Sequence, residues 1–226
     1  MATFKQKVSD YRDKYGNIPE EYEERFKLLL SLLKFKPKET EHIKKLYTKL
    51  MKRETETMRF ELYMMPEPCP RPRTTFNTRR FYVMGAADNN ALFKDIVKTI
   101  GELPIITTAC RVNSWSYLPT PSAMNRYEKF FAELGLLRVT VDPDWDNLAK
   151  AFCDMIQKNL ILNDSLIFKG MSEKRYSMKP RIEIEIEYDL EYDCTYNKKK
   201  IINSKSYQDV DRSRIDDMIE AIVKLK

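Results

Sequence analysis

Apolar and charged residues alternate without a break from Arg181 to Tyr188. Ile182, Ile184, Ile186 and Tyr188 fall on one side of the chain, and Glu183, Glu185 and Glu187 on the other. Successive side chains of a strand point to opposite faces, so this segment predicts a β-strand with one dry face and one wet face. The glutamates then belong to the wet face of a sheet rather than to a catalytic centre. A strand over about Leu166 to Tyr176 precedes it. Arg59 to Met64 also reads as a strand, stopped by Pro66, Pro68 and Pro70. Another spans roughly Ile105 to Leu118 and ends at Pro119 and Pro121. Arg138 to Val141 reads as a short extended piece.

Helical spacing marks other segments. Phe26, Leu29, Leu30 and Leu33 recur on one face after Pro19, and Pro37 breaks that run. A second helix over Glu39 to Lys52 carries Ile43, Leu46, Tyr47 and Leu50 on one side and many lysines on the other, which read as a solvated face. Asp88 is placed to cap a helix bearing Leu92, Ile96, Val97 and Ile100. Ser122 opens a helix to Leu134. From Asn147 to Gln157, Leu148, Phe152, Met155 and Ile156 share one side, opposite Asn147, Lys150, Asp154 and Lys158. A last helix carries Ile215, Met218, Ile219, Ile222 and Val223. The organisation expected is a helical extension over 1–57, a core over 58–189, and a polar linker with a C-terminal helix over 190–226. The fold class is α/β in the broad sense (α+β), a small mixed β-sheet packed by helices.

Composition removes several functions. Glycines number 5, and neither GxGxxG nor GxxxxGK[ST] occurs, so a glycine-cradled phosphate loop is excluded. The one histidine, His42, lies in a charged helical stretch and leaves no means to build a Ser-His-Asp triad or a histidine metal site. Cys69, Cys110, Cys153 and Cys194 form no CxxC pair, so reduced, buried thiols are expected rather than a zinc ribbon. The N-terminus lacks the apolar core of a signal peptide, and no run approaches the ~20 apolar residues of a membrane span. A cytoplasmic protein without a membrane partner is expected. The net charge of +6 and isoelectric point near 9.0 point to a polyanionic partner.

Against that basic balance stands one concentrated acidic segment. Asp142, Asp144 and Asp146 lie within five residues, just ahead of the Asn147–Gln157 helix, and Asp164 follows the helix. Such crowding costs roughly a few kcal/mol per close pair near a protein surface. A hard cation among the oxygens relieves it, because Mg²⁺ and Mn²⁺ prefer carboxylate and water. The alternative is a solvated acidic turn with helix-capping aspartates. An EF-hand is a poor fit, since Asn147 stands where glycine makes the sharp turn and Cys153 where a bidentate glutamate is needed. A metal-dependent phosphodiester site fits better. Asp144 and Asp146 would face one way on extended backbone, Lys150 lies one helical turn beyond Asp146, and Asp164 would close the shell. Lys150 then either stabilises a phosphorane-like state by its charge or pairs with Asp146.

These residues resemble the RusA family of Holliday junction resolvases. The likeness rests on Asp144-Trp145-Asp146-Asn147-Leu148-Ala149-Lys150, then Asp154, then Asn163-Asp164-Ser165. The surroundings agree in the Pro68-Cys69-Pro70-Arg71-Pro72-Arg73 turn, in Pro119 to Ser122, in Lys174-Arg175-Tyr176, and in the alternating strand from Arg181. The resemblance covers about Met58 to Tyr188. It implies a homodimeric, Mg²⁺-dependent endonuclease, with Mn²⁺ as a possible substitute, that nicks four-way DNA junctions symmetrically in a bacterial, phage or mobile-element setting. Position by position, it makes Asp144, Asp146 and Asp164 metal ligands and Lys150 an essential positive group, with Asp142 and Asp154 as secondary candidates. Arg71, Arg73, Arg79, Arg80 and Lys174 are expected at the DNA backbone, where contacts position a duplex without reading its sequence. Phe76, Phe81 and Tyr82 are candidates for a wedge at the crossover, against ordinary packing. Three departures stand out: Asn163 replaces an acidic residue, Asp142 stands where a basic residue commonly precedes the motif, and both terminal extensions lack a counterpart. Forks, flaps and other branched DNA are the alternative substrates, and a non-catalytic junction-binding protein is the alternative role.

Overall fold

A computed structural model describes residues 4–16, 19–68, 72–74, 81–83, 103–157 and 159–215. Two units are distinguished by their internal contacts, Met1–Arg53 and Glu54–Lys226.

The first unit contains three helices, α1 (Phe4–Tyr15), α2 (Tyr22–Leu33) and α3 (Pro37–Met51). Pro37, expected to break a helix, begins one instead: it occupies the first helical turn, where its missing N–H would have no partner anyway. Glu39 completes the start of α3 by accepting the Lys36 backbone N–H at 2.9 Å. Phe26 of α2 stacks on Tyr47 of α3, with ring centroids 4.1 Å apart. His42 is exposed on α3.

The second unit is built on a four-stranded mixed sheet. Its strands are β1 (Thr55–Leu62), β4 (Cys110–Pro119), β5 (Ile167–Ser177) and β6 (Arg181–Asp189), in the order β1-β6-β4-β5. β6 pairs antiparallel with both β1 and β4, whereas β4 and β5 run parallel. A parallel pair needs a crossover. Here that crossover contains α4 (Arg126–Glu133) and α5 (Trp145–Ile156). The short strands β2 (Pro72–Thr74) and β3 (Phe81–Val83) form a separate antiparallel pair.

The sheet divides its residues as the alternation predicts. Ile182, Ile184 and Ile186 of β6 are almost wholly buried, with Phe60 and Leu62 of β1 and Val112 of β4. Burial of each such side chain contributes about 1.5–3 kcal/mol. Leu148, Phe152, Met155 and Ile156 of α5 complete this core. Their spacing places them on one helix face, so α5 is held by that face and presents the other outward. On the opposite face of the sheet the glutamates of β6 meet arginines. Glu185 pairs with Arg59, Glu187 with Arg111 at 2.9 Å, and Glu183 with Arg181 at 2.8 Å. Arg181 also lies over the Tyr117 ring, 3.6 Å from its centroid.

Several boundaries differ from expectation. β1 begins at Thr55. The run from Ile105 is buried but enters the sheet only at Cys110. Ile106 instead bonds to Leu160 and Leu162 through the backbone, at 2.8 and 2.9 Å. α4 begins at Arg126, because Asn125 caps it by accepting the N–H groups of Tyr127 and Glu128. The expected polar linker contains two short helices, α6 (Thr195–Ile202) and α7 (Lys205–Asp209). Of the cysteines, Cys110 is buried, Cys153 half-buried and Cys194 exposed, which corrects the expectation of buried thiols throughout. Cys69, the helix expected after Asp88 and the C-terminal helix beyond Ile215 lie outside the described residues. No helix among the described residues is long and apolar enough to cross a membrane.

Candidate active site

The acidic turn sits at the start of α5, between the two crossover helices. Asp142 precedes a cis bond to Pro143, Asp144 is the N-cap, and Asp146 lies in the first turn. Although Asp144 holds the capping position, its side chain makes no capping hydrogen bond. Capping therefore does not account for an aspartate here. Carboxylates at this end of a helix are favoured by the backbone dipole, by ~0.3–1 kcal/mol each. Lys150 follows Asp146 by one turn, and Asp142, Asp144, Asp146 and Lys150 are all exposed. Asp146 and Lys150 thus project from the polar side of a helix whose other side is fixed in the core, with Asp142 and Asp144 in the turn that leads into it.

Two side chains tie this turn to β5. The Lys174 ammonium donates to the carbonyl oxygens of Val141 at 2.8 Å and Pro143 at 3.1 Å, one on each side of Asp142. The Trp145 indole N–H donates to the Ser172 carbonyl at 2.6 Å. An ammonium has three donors, so the turn engages two of those on Lys174. The resemblance puts Lys174 at the DNA backbone; the structure places it on the backbone of the acidic turn. Trp145 is a residue that sequence reasoning misses, although its place between two motif aspartates is the available signal.

Asp164 reaches the neighbourhood of α5 by a different route. After α5 the chain turns at Asn159 and Leu160, and Leu160, Ile161 and Leu162 are buried. Their backbone bonds to Ile106 fix the direction of return. Asp164 then opens a 3-10 turn, Asp164–Leu166, and is exposed. Asn163, standing where an acidic residue is expected, caps that turn by accepting the Ser165 N–H at 2.9 Å. Burial pushes the pKa of the Cys153 thiol up, and the negative charges of Asp154 and Asp164 raise it further. Farther into the core, burial pushes the Cys110 thiol up to about 12.

The donors offered by Asp144, Asp146 and Asp164 are all oxygens, the chemistry a hard divalent cation prefers. Among the described residues no three acidic, histidine or cysteine groups stand close enough together to hold a metal ion. The donor chemistry of these side chains fits such an ion. Of the expected DNA contacts, Arg73 lies in β2, opposite Tyr82 of β3. Phe81 is in β3 opposite Thr74, while Arg71, Phe76, Arg79 and Arg80 lie outside the described residues.

A family model described as Endodeoxyribonuclease RusA matches residues 64–187, which takes in the acidic turn, Asp164, Lys174 and all of β4 and β5. The chain belongs to the RusA family, and is thereby an endodeoxyribonuclease of Holliday junction resolvase type. It is also 28% identical over 137 residues to the uncharacterized protein YqaN of Bacillus subtilis (strain 168), a match spanning 58% of this chain and 96% of that relative.

Proposed function

We propose that this protein is a Mg²⁺-dependent endonuclease, able to use Mn²⁺, that resolves four-way DNA junctions by paired nicks. The observation that carries this reading is an acidic turn, unexplained by capping at Asp144, tied by Lys174 and Trp145 to a strand within the family match. Asp144, Asp146 and Asp164 would hold the cation, with Asp142 and Asp154 adding negative charge nearby. A bound divalent ion supplies an activated water at neutral pH and relieves charge on the leaving oxygen. Lys150 stabilises the charge that builds on the phosphoryl oxygens. Lys174 and Trp145 hold the turn so that the aspartates do not have to be ordered when substrate arrives. Arg71, Arg73, Arg79 and Arg80 position the DNA backbone. Symmetric nicking requires two active sites, hence a homodimer.

The test is a panel of synthetic substrates incubated with the full chain and Mg²⁺: a four-way junction, a fork, a flap and a linear duplex. The junction is expected to be cut first, at paired positions on opposing strands. Preferred cutting of forks or flaps would move the substrate assignment to other branched DNA. Tight junction binding with no cutting in either metal would leave only a binding role.

A further inference from the structure

The positive charge of this protein is carried by one of its two units. Residues 1–53 contain 14 lysines and arginines against 8 acidic residues, whereas residues 54–226 contain 26 of each. The whole surplus of +6 therefore belongs to the helical unit, and the unit bearing the acidic turn has no net charge. On the open face of the sheet Arg59, Arg111, Arg175 and Arg181 are each paired with a glutamate. Those arginines have little charge left to offer a polyanion.

Within the helical unit the charge is ordered along α3. An α-helix turns by roughly 100° per residue. Lys38, Lys45, Lys49 and Lys52, the last at the C-cap, therefore fall within an arc of roughly 60°. Tyr47, which stacks on Phe26 of α2, points the opposite way. Packing of α2 on α3 thus turns the lysine stripe outward, and all four lysines are exposed. Two glutamates of α3 lie near it. Glu39 accepts the Lys36 backbone N–H in the helix cap, and the Glu41–Lys45 pair at 3.4 Å has both side chains more than two-thirds exposed, where such pairs are weak. At ~1.5 Å of rise per residue the stripe is ~21 Å long. A duplex carries one negative charge per ~1.7 Å of its axis, so a stripe of that length faces about a dozen phosphates.

We propose that the lysine face of α3 is a docking surface for the phosphate backbone of duplex DNA, engaged without regard to sequence. This rests on the reading of DNA as the substrate, and it assigns the helical unit a part in binding rather than in chemistry. Duplex DNA is favoured over an anionic membrane because the same chain carries a RusA domain, and because α3 turns lysines rather than apolar residues outward along this face. Its apolar side chains all lie off the lysine face: Ile43 and Tyr47 are half-buried, and Leu46, Leu50 and Met51 are exposed on parts of the helix away from the stripe.

The experiment measures binding of the full chain to a fluorescent four-way junction and to a linear duplex. It is done without divalent metal, across a salt series. The comparison is with a variant carrying Lys38→Gln, Lys45→Gln, Lys49→Gln and Lys52→Gln, and with a second variant carrying Arg at the same four positions. The glutamine variant is expected to bind both DNAs about 10–100-fold more weakly near 0.1 M salt, with a log–log salt slope shallower by about three. The arginine variant should keep wild-type affinity and slope, which separates loss of charge from loss of structure. Wild-type affinity and slope in the glutamine variant would overturn the proposal. So would a loss confined to phosphatidylserine vesicles, which would assign the face to membranes. A wild-type chain that cuts junctions while the glutamine variant binds normally refutes this inference and leaves the nuclease reading standing. A lysine-dependent binder that cuts nothing has the reverse consequence.

Discussion

The two units of this protein use charge in opposite ways. In Glu54–Lys226 acids and bases are equal in number, and on the open sheet face they meet in defined pairs, as Arg111 meets Glu187 at 2.9 Å. In Met1–Arg53 the bases exceed the acids by six, and on α3 they are gathered into one exposed stripe. Paired charge fixes geometry, because each partner limits where the other can go. Surplus charge attracts from a distance and tolerates imprecise contact. The isoelectric point near 9.0 is thus a property of the helical unit and says nothing of the site. A phosphodiester approaching the acidic turn meets repulsion from Asp142, Asp144 and Asp146 until a cation intervenes, so attraction has to come from elsewhere in the protein.

This division can be sharpened by removing single charges from the neutral unit. Lys150→Met should lower the rate of junction cutting about a hundredfold if, as proposed, its charge stabilises the reacting phosphate. The salt slope for metal-free binding should change by no more than about one, unlike the loss expected on α3. Single-turnover cleavage and anisotropy titration together distinguish the two effects. Lys174→Met comes next. It removes both bonds to the acidic turn, and a roughly ten- to hundredfold loss of activity or metal affinity is the usual size for such a supporting group. Partial recovery at high Mg²⁺ would mark it as a positioning residue, and an undiminished response to Mg²⁺ would return it to the DNA backbone. The smallest effect concerns the paired face. Arg175 donates to Glu173 at 2.8 Å and holds its carboxyl below the usual range. A carboxyl depressed in the folded state contributes stability above its unfolded pKa, and that contribution disappears as pH falls through the folded value. With both side chains about a third exposed it amounts to less than ~1 kcal/mol. Acid titration of thermal stability below about pH 4.3 should therefore show a decline, reduced in Glu173→Gln.

The legible parts of the sequence are those where solvent contrast is strong. β6 stands out because water lies on one face and core on the other, so alternation alone assigns Ile184 inward and Glu185 outward. α5 is legible for the same reason at helical period. α6 is not, because Thr195–Ile202 buries no residue and its three lysines mask any face. The segment from Ile105 reads as strand because burial looks the same in a ladder and outside one; its bonds go to Leu160 and Leu162, partners the local pattern does not name. At the site, the aspartates are evident from spacing alone. The bonds from Lys174 and Trp145 are not, since each joins residues about thirty positions apart and depends on the parallel crossover between β4 and β5. The same bonds show why a lysine expected to face DNA can serve the protein's own backbone instead.

Asp144, Asp146 and Asp164 are proposed to act together on a divalent ion to cut DNA. The most direct test is the Mg²⁺ dependence of four-way junction cleavage by the wild-type chain and by Asp146→Asn, both verified as folded and as binding the junction. The wild type is expected to make metal-dependent paired nicks and the variant to lose about a thousandfold in rate, the scale of several kcal/mol of lost charge stabilisation. Equal cutting by the two proteins would contradict that role.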